Sequence, residues 1–144
     1  MKIRRIEHVA IAVKSMAKAR EIFEDKLGLP IEYEEHLPQY NTRLAMLPVG
    51  QTYIELLESD RPDTETSKWI DGHGEGPFHI CLEVEDIDSA LAELKAKGIK
   101  LIDEKPRIGH ANSRIAFIDP KSTNDVVIEL VELSPGHTGS HEVK

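Results

Sequence analysis

Ile128-Glu129-Leu130-Val131-Glu132 is the stretch on which the reading of this chain turns. Apolar and β-branched residues dominate it, which predicts a short strand. Side chains alternate faces along a strand. Ile128 and Leu130 therefore go one way, and Glu129 goes the other, between Val127 and Val131. A carboxylate with apolar neighbours on its own face is costly unless it is paired, protonated or bound to a metal. The same pattern stands earlier as Ile54-Glu55-Leu56-Leu57-Glu58. Two strands thus carry one glutamate each in the same apolar setting.

The segments upstream of the two glutamates also match. Ile6 to Val13 alternates, with Val9, Ile11 and Val13 on one face and His8, Ala10 and Ala12 on the other. Phe78-His79-Ile80-Cys81-Leu82-Glu83-Val84 lines up with Glu7-His8-Val9-Ala10-Ile11-Ala12-Val13. A cap follows each strand, Ser15 in one case and Asp86 in the other. Apolar stripes at helical spacing come next: Met16, Ala19, Ile22 and Phe23, then Ile87, Ala90, Leu91 and Leu94. Gly28 and Gly98 end the two helices. Strands are expected at 31–35 and 43–47 in the first copy, and at 100–103 and 114–118 in the second. The offset is 71 residues between His8 and His79 and 74 between Glu55 and Glu129. Matched elements in one order imply an internally duplicated strand-helix-three-strand unit.

The expected organisation is one α+β domain over 1–144, built from two tandem βαβββ modules at about 4–58 and 77–133. A partly helical linker over 59–76 joins them, and 134–144 forms a polar, frayed tail. The length of 144 residues suits this. A net charge of −8 argues against nucleic-acid binding. No apolar run approaches the roughly 18 residues of a membrane span. The single cysteine, Cys81, rules out an intramolecular disulfide. The chain starts on a strand-like pattern without a signal peptide, so a cytoplasmic location is expected.

The duplication puts four metal-capable residues at equivalent places: His8 and His79 on the first strand of each copy, Glu55 and Glu129 on the last. If the two sheets curve to face each other, the four converge. Two imidazoles and two carboxylates suit one divalent ion such as cobalt, nickel, manganese, iron or zinc, with positions left open for substrate. A lone strand histidine is more often a hydrogen-bonded core residue, and a strand glutamate is usually solvated. Neither habit explains a glutamate kept in the same apolar context twice. The remaining conspicuous residues are read plainly: Cys81 as a buried inert thiol, Trp69 as a packing anchor for the linker, and His36, His73, His110, His137 and His141 as surface residues.

Several stretches carry a family resemblance: Glu7 to Val13, Gly74-Glu75-Gly76-Pro77-Phe78-His79-Ile80, Pro106-Arg107-Ile108-Gly109, Asp119-Pro120-Lys121-Ser122 and Val127-Ile128-Glu129-Leu130. Over roughly residues 6–133 the chain resembles the vicinal oxygen chelate superfamily, and within it the methylmalonyl-CoA epimerases. The resemblance implies paired βαβββ modules in a cupped mixed sheet around a divalent metal. It places His8, Glu55, His79 and Glu129 on the ligand positions. The implied reaction is α-proton removal from a 2-substituted acyl-CoA thioester and its return to the opposite face. Metal contact with the thioester oxygen would stabilise the enolate. Glu129 and Glu55 are the candidate acid–base pair. Arg107, Arg114 and Lys121 are the candidates for the substrate carboxylate and the CoA phosphates. A homodimer is implied as well. The chain departs from the family pattern in Gly109-His110-Ala111-Asn112, Asp119-Pro120-Lys121, Asn124-Asp125, Phe78 and Gln39-Tyr40-Asn41, stretches expected to face substrate. The alternatives are a glyoxalase I-type lyase isomerising a glutathione hemithioacetal, with the same ligand set, and a non-catalytic small-molecule-binding relative.

Overall fold

A computed structural model describes residues 1–136. Its elements run in the order β1 (Ile3–Val13), α1 (Met16–Arg20), β2 (Tyr33–Leu37), β3 (Thr42–Val49), β4 (Thr52–Ser59), α2 (Glu65–His73), β5 (Gly76–Val84), α3 (Ile87–Ala96), β6 (Arg107–Ile108), β7 (Arg114–Ile118) and β8 (Ile128–Glu132). The βαβββ order therefore occurs twice, with α2 between the copies. The chain packs as two compact units. One is Val9–Phe78, and the other is Met1–His8 together with the chain from His79 onward.

In the unit Val9–Phe78 the strand order is β2-β3-β4-β1. Both hairpin pairings are antiparallel, and Met46 stands opposite Glu55. The Ser15 hydroxyl accepts the Lys18 N–H at 3.2 Å and starts α1. The helix continues through Glu21–Lys26 as a widened π-type turn, in which the Leu27 N–H reaches the Ile22 carbonyl. Gly28, at φ +77°, then ends it. Ala19 packs with Val13, Ala45, Leu47 and Leu56 on one sheet face. Tyr53, Leu57, Leu44 and Met46 form the opposite face. Period-two alternation places Glu55 on this second face, away from α1. Strand β2 begins at Tyr33 rather than Ile31, two residues later than the periodicity suggests. Helix α2 is capped by Thr64, whose hydroxyl accepts the Ser67 N–H at 3.1 Å. Trp69 on this helix stacks on His73 and tilts against Phe78, a packing role.

In the other unit the order is β1-β5-β8-β7-β6. Strands β5 and β8 are parallel, with Cys81 opposite Glu129, while β7 pairs antiparallel with β8 and β6. The sheet is therefore mixed. Helix α3 starts at Asp86, whose carboxylate accepts the Ser89 N–H and hydroxyl. It buries Ile87, Ala90 and Leu91 against Val84, Ala116, Ile118 and Leu130. Cys81, Ile115 and Val131 form a second cluster on the far face of the strands, the face that carries Glu129. The expected strand at 100–103 is reduced to one bridge, Leu101 to Ile118. The cause is local: the Asp103 carboxylate accepts the Phe117 N–H at 2.9 Å and takes a backbone partner's place. The outer position goes to the two-residue β6 instead. Of the tail, 137–144 lies outside the described residues, as do His137 and His141.

Candidate metal centre

His8 from β1, His79 from β5 and Glu129 from β8 lie in the same unit, and all three are buried. Their donor atoms form a nearly equilateral triangle. His8 Nε2 lies 3.1 Å from His79 Nε2 and 3.0 Å from Glu129 Oε1, and His79 Nε2 lies 3.1 Å from the same oxygen. Glu129 Oε1 is fully buried, yet no donor is aligned with it for a hydrogen bond. One imidazole N–H can bridge a single edge of such a triangle, whereas an ion serves all three. With metal–ligand bonds of about 2.1 Å, neighbouring donors of an octahedron lie about 3.0 Å apart and those of a tetrahedron about 3.4 Å. The observed edges match the octahedral face. The donor set therefore fits a divalent ion with open positions.

Each of these side chains is held by ordinary strand chemistry. Glu129 sits between Cys81 on β5 and Phe117 on β7, its register partners. Burial alone would push its carboxyl up. The adjacent imidazoles, foremost the charge of His79, outweigh this and hold it well below the usual carboxylate range. His79 meets the Phe117 ring edge-on at 5.3 Å. The Cys81 sulfur lies within 4.8 Å of donor atoms of Glu7 and His8. Burial, followed by the charge of Glu129, pushes its thiol up, so in the metal-free chain it carries its proton. Glu55 is buried on β4 in the unit Val9–Phe78.

Two residues of this cluster escape the sequence reading. Glu7 Oε1 lies 2.6 Å from His8 Nδ1 and 3.0 Å from His110 Nε2. Strand alternation sends Glu7 away from His8, and so it gave no signal. His110, expected at the surface, is 3% exposed. It follows Gly109 in a tight turn with Ala111 and Asn112 at positive φ, and this turn drives the ring inward. His36 does lie near the surface, paired with Asp60 at 2.6 Å.

The three basic candidates have different surroundings. Arg107 stands opposite Ile115, on the face that carries Glu129. Its guanidinium lies 5.4 Å from the Phe117 ring centre and 3.2 Å from Asp103. Arg114 stands opposite Glu132, on the helix-covered face, and is ion-paired to Asp88 and Glu132. Lys121 is exposed on the turn after β7.

The sequence profile of the glyoxalase/bleomycin resistance protein/dioxygenase superfamily matches residues 7–117. The chain belongs to this superfamily. Human mitochondrial methylmalonyl-CoA epimerase is 32% identical over 127 residues, 88% of this chain and 72% of that protein. An uncharacterised Bacillus subtilis protein, YqjC, is 32% identical over 96% of this chain and 99% of its own length. A Streptomyces coelicolor methylmalonyl-CoA epimerase variant, solved with 2-nitronate-propionyl-CoA, superposes with a TM-score of 0.89. It is 31% identical and covers 92% of this chain and 99% of that one. The superfamily's vicinal oxygen chelate fold thus agrees with the doubled βαβββ order described above.

Proposed function

We propose that this protein is an epimerase of methylmalonyl-CoA or a related 2-substituted acyl-CoA, built around one divalent ion. The triangle of His8, His79 and Glu129 carries the reading, and the likeness to methylmalonyl-CoA epimerases supports the substrate class. Glu55, buried on its own strand, is proposed as the fourth ligand. Cobalt, manganese, nickel and zinc all accept such a set. The ion would supply Lewis-acid stabilisation of the negative charge that develops on a thioester oxygen. Glu129 is ionised at neutral pH, the form that accepts a proton from the substrate α-carbon. Glu55 is proposed as the partner that returns one to the opposite face. Arg107, on the Glu129 face beside Phe117, would take the substrate carboxylate. Lys121 would meet CoA phosphates at the surface. Arg114, held on the other face by two carboxylates, is given no part.

The same proposal takes the protein to be a cytoplasmic homodimer with the two-module division at 4–58 and 77–133. Among the described residues no helix is long and apolar enough to cross a membrane. The deciding experiment is solvent exchange. Cobalt-loaded protein in deuterium oxide should place deuterium at the α-carbon of methylmalonyl-CoA, and chelation should stop it. Glu129→Gln should slow exchange on the order of 100-fold or more, the usual contribution of a positioned acid–base group. No exchange, together with rapid conversion of the glutathione–methylglyoxal hemithioacetal, would assign the lyase reaction instead. Turnover of neither would leave a binding protein.

A further inference from the structure

The buried pair Glu7 and His110 has no part in the chemistry above, yet it touches the metal centre. Glu7 is 1% and His110 3% exposed, and their contact joins residues 103 apart in sequence. A single oxygen, Glu7 Oε1, receives both His8 Nδ1 at 2.6 Å and His110 Nε2 at 3.0 Å. An ionised carboxylate only accepts hydrogen bonds, so both of these ring nitrogens must carry the proton. In the neutral imidazole that choice leaves Nε2 as the lone-pair nitrogen, and Nε2 is the atom that faces His79 and Glu129. The two imidazoles of His8 and His110 also meet edge-on, with centroids 5.2 Å apart and planes at 88°. This contact and the shared carboxylate restrict rotation of both rings.

We propose that Glu7 and His110 are positioning residues for the metal ligand His8, with His110 anchoring the Glu7 carboxylate and Glu7 fixing the tautomer and ring angle of His8. The arrangement extends the centre from its ligands to the loop at 109–112. It rests on the metal-centre reading given above. A carboxylate bonded to the far nitrogen of a ligating histidine raises its basicity and orients its ring. Loss of such a partner commonly weakens metal binding 10–100-fold.

The test is cobalt(II) affinity by calorimetric titration, with melting of the metal-free proteins as the measure of folding. Glu7→Gln should bind cobalt roughly 10–100-fold more weakly than the wild type. His110→Ala should also weaken binding, and His110→Gln, which keeps an N–H donor, should recover part of the loss. His110→Ala tests the relay from its outer end even if Glu7→Gln does not fold. Wild-type cobalt affinity in Glu7→Gln or in His110→Ala overturns the proposal. So does a lowered melting temperature with unchanged affinity, which would make the pair a packing feature alone. A wild-type chain that takes up no divalent ion overturns the metal-centre reading and this one together, whereas tight binding by every variant overturns only this one.

Discussion

At the scale of single residues, the buried histidines among the described residues share one unit with two carboxylates that touch them. Glu7, His8, His79, His110 and Glu129 are all buried in the same unit, and the carboxylates are ionised there because imidazoles surround them. Burial alone would raise the Glu7 carboxyl, but hydrogen bonds from His110 and His8 outweigh it and hold the group below the usual range. A carboxyl lowered on folding stabilises the fold above its unfolded value of about 4.3, and this contribution fades as pH falls toward the folded value. In metal-free protein, the stability gap between wild type and Glu7→Gln should therefore be widest near neutrality and narrow below about pH 4. Urea denaturation at pH 7 and pH 3 measures it. A gap of the same size at both values would mean that Glu7 is not ionised in the fold.

At the scale of elements, the turn before β7 brings His110 to Glu7. Gly109 has no side chain, and a Cβ built there would lie 2.7 Å from the Ile115 side chain. Its φ of −123° is open to any residue, so the constraint is packing and not backbone strain. Gly109→Ala should force Ile115 to shift and cost about 1–3 kcal/mol, the usual range for overpacking. The displaced turn carries His110, so cobalt affinity should fall along with stability. Unfolding in urea and a cobalt titration of the same variant check both effects. An alanine variant as stable as the wild type would show that Ile115 has room to move. Gly109-His110-Ala111-Asn112 has no periodicity, and a histidine in such a stretch reads as solvated.

At the scale of the whole molecule, the prediction concerns metal and stability together. A ligand that binds only the folded chain stabilises it by about 2.7 kcal/mol at 100 times its dissociation constant. Cobalt or manganese at that excess should raise the melting temperature of the protein, and a chelator should return it to the metal-free value. Differential scanning calorimetry with and without the ion is the measurement. A melting temperature indifferent to every divalent ion would count against a centre formed by His8, His79 and Glu129.

The sequence by itself determined the repeated elements. Strand and helix periodicity, two N-caps and two helix-ending glycines reveal the βαβββ order twice, because these signals depend on neighbours within a few residues. It also singled out His8, Glu55, His79 and Glu129, since duplication makes a polar residue conspicuous when it occurs twice in the same apolar setting. Only the tertiary structure decided that the donor atoms of His8, His79 and Glu129 stand 3.0–3.1 Å apart. It alone turned Asp103 into a backbone partner for Phe117, buried His110, joined it to Glu7 and put Arg114 on the face away from Glu129. The physical reason is the range of the interactions. Periodicity records which side of its own strand a residue occupies, whereas hydrogen bonds between residues 103 apart depend on how loops pack, and a loop has no period to read.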